Sequence, residues 1–218
     1  MTHYLIEFRF FGKAKHELKD LIWGLDRKFR LGHARRHRPV PHITLAGPFY
    51  TKDEKRLISD FEELCAKQPI MAFKVKGFGT FDDTRVVFID IEPDETLNKF
   101  RWELSKKLSN YCSLTQYDLE RKFSFHATIA MKLRWDKFNK IKEYIETKPE
   151  PEFTHFVMRV TLIKNSKILR EHDFFLRRSL SRREAKSRLI LSESYERLEN
   201  FVQKMDRVGG VLSRGSKF

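Results

Sequence analysis

A chain of 218 residues with 40% hydrophobic content and 20 Phe is long enough and apolar enough to bury a core. No apolar run approaches a membrane span, and the N-terminal stretch from Met1 lacks the shape of a secretory signal, so a cytoplasmic protein with no membrane partner is expected. Lys+Arg 44 against Asp+Glu 30 leaves a net charge of +14, which favours polyanionic partners, nucleic acid first among them.

Apolar and aromatic residues over 4–11 predict a strand. Residues 13–31 carry Leu18, Leu21, Ile22, Leu25 and Phe29 at helical spacing. A loop rich in Arg and His (32–39) leads into a strand at 40–49, and 52–67 reads as a helix. A strand pair follows at 70–78 and 85–91, turning at Asp82-Asp83, and a helix at 94–111 has Asp94 as its cap. The second half repeats the order: a strand at 124–133, a helix at 135–147, and a hairpin of 153–164 with 167–176 around Asn165-Ser166. Helix is expected from Leu180 onward. Boundaries of the two series differ by about 84 residues throughout, which points to two α+β lobes related by a pseudo-twofold axis.

The repeat carries a paired motif. His42-Ile43-Thr44-Leu45-Ala46 and His126-Ala127-Thr128-Ile129-Ala130 share the pattern His-x-Thr-aliphatic-Ala, each in a predicted strand at the same point of its half. Side chains alternate along a strand, so each histidine projects with its threonine, about 6.6 Å along. Ile43, Leu45, Ala127 and Ile129 point the other way, and Ala46 and Ala130 are expected to leave room on the polar face. By the same parity Lys132 lies on the cleft side. Two imidazoles across a cleft suit phosphodiester cleavage, one as base and one as acid, with threonine hydroxyls donating to phosphate oxygens. A metal site is disfavoured. Cys65 and Cys112 lack ligand spacing, no acid recurs beside either motif, and Arg35, Arg36 and Arg38 would repel a cation from His33 and His37.

These motifs resemble the signature of the 2H phosphoesterase superfamily, and especially its 2′-5′ RNA ligase, or RNA 2′,3′-cyclic phosphodiesterase, branch. The resemblance spans residues 3–177 and includes the closing hairpin, Met158 to Lys164 followed by His172 to Leu176. It implies a bilobal α+β fold with two antiparallel sheets facing a central cleft and helices outside. It implies His42 and His126 as the acid–base pair, and Thr44 and Thr128 as phosphate binders. The branch usually places a basic residue after the second Ala; here that position is Met131, and Lys132 is the substitute. Pro41 and Gly47-Pro48-Phe49 resemble other 2H branches.

The implied reaction opens 2′,3′-cyclic phosphate ends of RNA, tRNA included, without metal or cofactor, with ligation as the reverse. The alternatives are a 2H enzyme acting on 2′-5′ oligonucleotides or nucleotide-sugar cyclic phosphates, and an RNA-binding module without turnover. Arg35, Arg36, Arg38 and Phe49 are candidate RNA contacts, and a monomer is favoured. A phosphoesterase domain is expected over 1–178 and a basic helical extension over 179–218. From Arg177 on, 11 Lys/Arg stand against 5 Asp/Glu. Leu191, Tyr195, Leu198, Val202 and Met205 form an apolar stripe there, suited to packing on the core, with an RNA-gripping arm as the alternative.

Overall fold

The computed structural model describes residues 2–209. Its elements run β1 (Tyr4–Arg9), α1 (Gly12–Lys28), α2 (His33–His37), β2 (His42–Phe49), α3 (Glu54–Ala66), β3 (Ala72–Phe81), β4 (Val86–Pro93) and α4 (Glu95–Leu108). Then come β5 (His126–Ala130), α5 (Trp135–Glu146), β6 (Glu152–Phe156), β7 (Arg159–Lys164), β8 (Lys167–Asp173), β9 (Arg178–Ser181), α6 (Arg182–Ala185) and α7 (Arg188–Gly209). The strands form two antiparallel sheets, ordered β2-β1-β7-β8-β9 and β5-β4-β3-β6.

The two halves share one plan. In each, the motif strand (β2 or β5) is a sheet edge and pairs with the strand that opens its half, β1 or β4. After the next helix the chain moves to the other sheet, at once in the first half, where β3 pairs with β4, and by way of β6 in the second, where β7 pairs with β1. This crossing changes one expectation. Residues 153–164 are two strands in different sheets, β6 on β3 and β7 on β1, parted at Val157-Met158. Phe156, Val157 and Met158 are all buried, so the apolar run shows no gap where the chain changes sheets. The backbone amide of Val157 donates to Met71 O (2.8 Å), and that of Phe174 to Met158 O (3.0 Å), which satisfies both sides of the crossing.

Local chemistry sets the boundaries. One oxygen of Asp94 accepts from the Leu97 amide (2.7 Å) and caps α4, while the other accepts from Ala72 N (2.7 Å) at the start of β3. Asn165 and Ser166 both hold positive φ (46° and 63°), the geometry that closes a two-residue hairpin. The predicted strand 124–133 shortens to β5. Leu180 lies in β9, opposite Glu171 of β8, rather than in a helix.

The segment after Arg177 is tied into the core as far as it is described; Arg214 and Lys217 lie outside the described residues. Leu198 and Val202 are buried, and the Gly12 amide donates to the Tyr195 hydroxyl (3.0 Å). Beneath α7, the buried Arg159 guanidinium donates to Asp173 (2.6 Å), Glu171 (3.2 Å) and Ser194 Oγ (2.7 Å). Removing the helix would leave that ionic group without some of its partners, a costly state inside a protein. Leu198→Ala is therefore expected to lower stability by about 2–5 kcal/mol in denaturant titrations.

One buried histidine has no polar partner among the described residues. His155 sits between the sheets among Phe8, Phe10, Phe11 and Phe73, and neither ring nitrogen makes a hydrogen bond. Burial pushes its imidazole down to about 3. The unfolded chain takes up a proton here below about pH 6.5 while the folded chain does not. The stabilisation is thus complete above that pH and is lost as the pH falls towards 3, at up to about 1.4 kcal/mol per unit. His155→Leu should flatten the decline in unfolding free energy between pH 7 and 5; an unchanged slope would remove His155 as its source.

Candidate active site

Strands β2 and β5 lie against each other where the sheets meet, and each begins with its motif histidine. The two sites are built alike. His42 Nδ1 lies 2.8 Å from Val40 O, and His126 Nδ1 lies 2.8 Å from Ser124 O. A carbonyl only accepts, so each Nδ1 carries the proton and donates, leaving Nε2 for chemistry. The rings are close enough for the charge of one to be felt at the other.

The strand registers match as well. Arg9, Phe8 and Glu7 stand opposite His42, Ile43 and Thr44; Asp90, Ile89 and Phe88 stand opposite His126, Ala127 and Thr128. In both strands the pairing then slips at the aliphatic residue, so that Ile6 faces Ala46 and Val87 faces Ala130. An extra residue at Leu45 and Ile129 reverses the parity beyond each threonine. Three expectations change. Ala46 and Ala130 are buried rather than placed along an open face. Phe49 is fully buried and stacks on Tyr4 (centroids 5.9 Å), which removes it as an RNA contact. Lys132 lies beyond the end of β5 with a left-handed backbone (φ 56°), so strand parity does not direct it. Its charge is felt at His33, which places it towards α2.

Thr44 and Thr128 are half-buried, and neither hydroxyl has a hydrogen-bond partner among the described residues. Both can donate to a bound oxyanion. Arg35, Arg36 and Arg38 are exposed in and just after α2. Among the described residues no group of three or more His, Cys, Asp or Glu gathers where it could hold a metal ion.

Around this shared frame the two histidines differ. His42 Nε2 stands 3.7 Å from Oε2 of the buried Glu7, whose other oxygen accepts from Arg9 Nε (2.5 Å). The His126 ring is wedged between Phe81 (centroids 4.9 Å, edge-on) and Phe88 (5.2 Å). Burial holds the His126 imidazole below its ordinary value; the bond to Ser124 O and the charge of Asp90 pull it up, and His42 pushes it down. An open cavity of about 730 Å³ adjoins this ring, lined by Thr80, Phe81, Asp82, Tyr117, His126 and Lys142.

A second group of residues fixes the frame. The Tyr117 hydroxyl donates to Ser124 O (3.0 Å), the carbonyl that also holds His126. The next residue, Asp118, accepts from Gly47 N (2.9 Å) on β2, which joins this loop to the other motif strand. Buried Arg101 of α4 clamps the loop, donating to Glu120 O (2.7 Å) and Asp118 O (2.7 Å) with its guanidinium 3.7 Å from the centre of the Phe123 ring. None of these residues stands out in the sequence. Glu7 and Arg9 left one signal, charged residues at alternate positions of an otherwise apolar strand. Phe81, Phe88, Tyr117 and Arg101 left none, because aromatics and arginines are common in this chain.

Proton NMR titration checks the asymmetry. The His126 ring should titrate below the ordinary histidine value of about 6.5. Phe81→Ala, which admits water to the ring, should move that midpoint upward. A midpoint unmoved by the substitution would mean that burial is not the cause.

Comparison with solved structures bears on the fold, and comparison with sequence profiles on the family. Among solved structures the fold is similar to apo LigT of E. coli (TM-score 0.50, 17% identity, 83% of this chain and 96% of that one). Further matches are Usb1 of Kluyveromyces marxianus (0.44, 8%, 77% and 95%) and a protein described as a phosphoesterase (0.46, 16%, 83% and 93%). No curated protein sequence matches. The sequence profile of the 2′-5′ RNA ligase superfamily matches residues 17–168, which include both motifs and most strands of both sheets. With that match over most of its length, the chain belongs to the 2′-5′ RNA ligase superfamily, a family of two-histidine phosphoesterases.

Proposed function

We propose that this protein is a phosphodiesterase that opens 2′,3′-cyclic phosphate ends of RNA, with His126 as general base and His42 as general acid. The observation that carries the reading is the matched anchoring of the two imidazoles. Each is held through Nδ1 by the carbonyl two residues back, so two Nε2 atoms on adjoining strands are left to serve one phosphate.

The asymmetry supports the division of labour. The aromatic wedge keeps His126 neutral, as a base must be, while Glu7 stands ready as counter-ion to a protonated His42. In the forward step His126 takes a proton from water as its oxygen bonds to phosphorus. The P–O bond to one ribose oxygen breaks, and His42 gives that oxygen a proton. Thr44 and Thr128 donate to the non-bridging oxygens, where negative charge builds. The same ring opening with a ribose 5′-hydroxyl in place of water would form a 2′-5′ or 3′-5′ linkage. The +14 charge supports an RNA partner, and Arg35, Arg36 and Arg38, exposed just upstream of His42, offer it cations.

Hydrolysis of a cyclic mononucleotide and of an RNA oligonucleotide ending in a cyclic phosphate tests the reading. His42→Ala and His126→Ala should each lose about 10²-fold or more in kcat/KM, with the double variant little worse than either. The acid limb of the pH–rate profile should fall below pH 6.5, following His126. Turnover of 2′-5′-linked dinucleotides with no opening of any cyclic phosphate would move the assignment to another phosphodiester class. Near wild-type rates in either single variant would remove the two-histidine mechanism.

A further inference from the structure

We infer that the rim between α2 and the end of β5 is a subsite for a second phosphate, formed by His33, His37 and Lys132 with Arg36 beside them. This deepens the reading above and rests on it, since the second phosphate would belong to the same RNA whose end lies between the motif histidines.

Basic side chains from two elements converge here. The single turn of α2 sets the His33 and His37 rings 4.7 Å apart at 40°. Lys132 arrives from the other motif strand, two residues past β5; α1 packs against both α2 and β5 and brings their ends to one rim, where the charges of Lys132 and Arg36 reach His33. Among the described residues none of His33, Arg35, Arg36, His37, Arg38 or Lys132 has a carboxylate within 4.0 Å, although basic side chains elsewhere are paired, as Arg170 is with Glu62 and Lys164 with Glu54. The acid that faces the group is Asp26. It is buried, and its Oδ1 is occupied by the Ala34 amide (2.8 Å), so it holds α2 in place more than it neutralises the cluster.

The arrangement works against folding. Like charges brought together without a counter-ion destabilise the compact state, and an anion would reverse that cost. Burial holds the His33 imidazole below its ordinary value, and His37, Lys132 and Arg36 push the same way against Asp26. The backbone is strained on both flanks, with non-glycine left-handed residues at Arg38 (φ 45°) and Lys132 (φ 56°). Imidazole N–H, ammonium and guanidinium together fit a phosphate oxyanion better than any neutral ligand. The position fits as well. The cluster is joined to His42 through Val40, whose carbonyl orients the catalytic ring, and to His126 through β5. A phosphate held here would be either a neighbouring backbone diester of the strand or a terminal phosphate monoester.

Two measurements decide it. Histidine ring resonances are followed as inorganic phosphate is added to the full-length protein at constant ionic strength. The His33 and His37 signals, assigned by their loss in His33→Gln and His37→Gln, should shift saturably, and Lys132→Met should weaken that response by about fivefold. Shifts confined to His42 and His126 would overturn the subsite. This experiment needs no turnover, so it stands even if cyclic phosphates prove not to be the substrate. The second compares KM for a cyclic-phosphate-ended dinucleotide, with and without a 5′-phosphate, against a cyclic mononucleotide. In the folded double variant His33→Gln/His37→Gln the ratio of dinucleotide to mononucleotide KM should rise about fivefold. A rise in both dinucleotides identifies the internal diester as the ligand, and a rise in the 5′-phosphorylated one alone identifies the monoester. An unchanged ratio in both overturns the inference.

Discussion

A hydrogen bond from each motif imidazole to the carbonyl two residues before it is the constraint on which the site depends. It fixes the tautomer, sets the ring's direction and leaves the same nitrogen available on both rings. An imidazole free to flip would offer either nitrogen and halve the time spent in a useful geometry. The bond exists because each histidine is the first residue of an edge strand. Pro41 O and Phe125 O, one residue back, still accept from Phe10 N and Ile91 N (3.2 Å each), while the carbonyls of Val40 and Ser124, two residues back, turn towards the ring.

The supporting structure preserves those two carbonyls by different means. Ser124 O is held by Tyr117, and the loop that carries Tyr117 is pinned by Arg101, which would be expensive to bury without its carbonyl partners. Val40 O depends instead on the segment between α2 and β2, with Arg38 in a left-handed conformation and Pro39 and Pro41 on either side of Val40. The Asp118–Gly47 bond links the two arrangements, so a disturbance at one motif strand is passed to the loop serving the other. A near-symmetric frame thus carries unequal surroundings, a carboxylate beside one ring and two phenyl groups around the other. Acid–base chemistry needs that inequality, since two groups of equal protonation cannot divide the roles.

Features that depend on near neighbours were legible in the sequence. The paired motifs, the Asp94 cap, the Asn165-Ser166 turn and the helix faces all follow from local pattern; the duplicated order pointed to two α+β lobes, and the family resemblance implied the two sheets. The β3–β4 pair and the β7–β8 hairpin were legible too, but the pairing of β7 with β1 and the break that leaves β6 on β3 were not, because such pairing is decided by partners far along the chain and buried runs look alike whichever sheet they join. The bulges at Leu45 and Ile129 were hidden for a related reason. Simple alternation cannot show an extra residue, and the error then carried forward to Ala46, Ala130 and Lys132. Glu7 could have been suspected from its charge within an apolar strand, but its place beside His42 rests on the β1–β2 register.

The crossing of β3 and β7 also bears on how the molecule comes to exist. β1 waits for β7, whose residues follow it by most of the chain, and β3 must find a place in a sheet whose other edge, β5, has yet to be made. Neither half can close its own sheet, so a nascent chain leaving the ribosome would expose unpaired strands until nearly all of it had emerged. Long-range pairing of this kind slows folding and makes it concerted. The same interlock makes division of the gene between the two halves self-correcting: separate fragments would each lack a strand that only the other supplies, and they would be driven to reassemble.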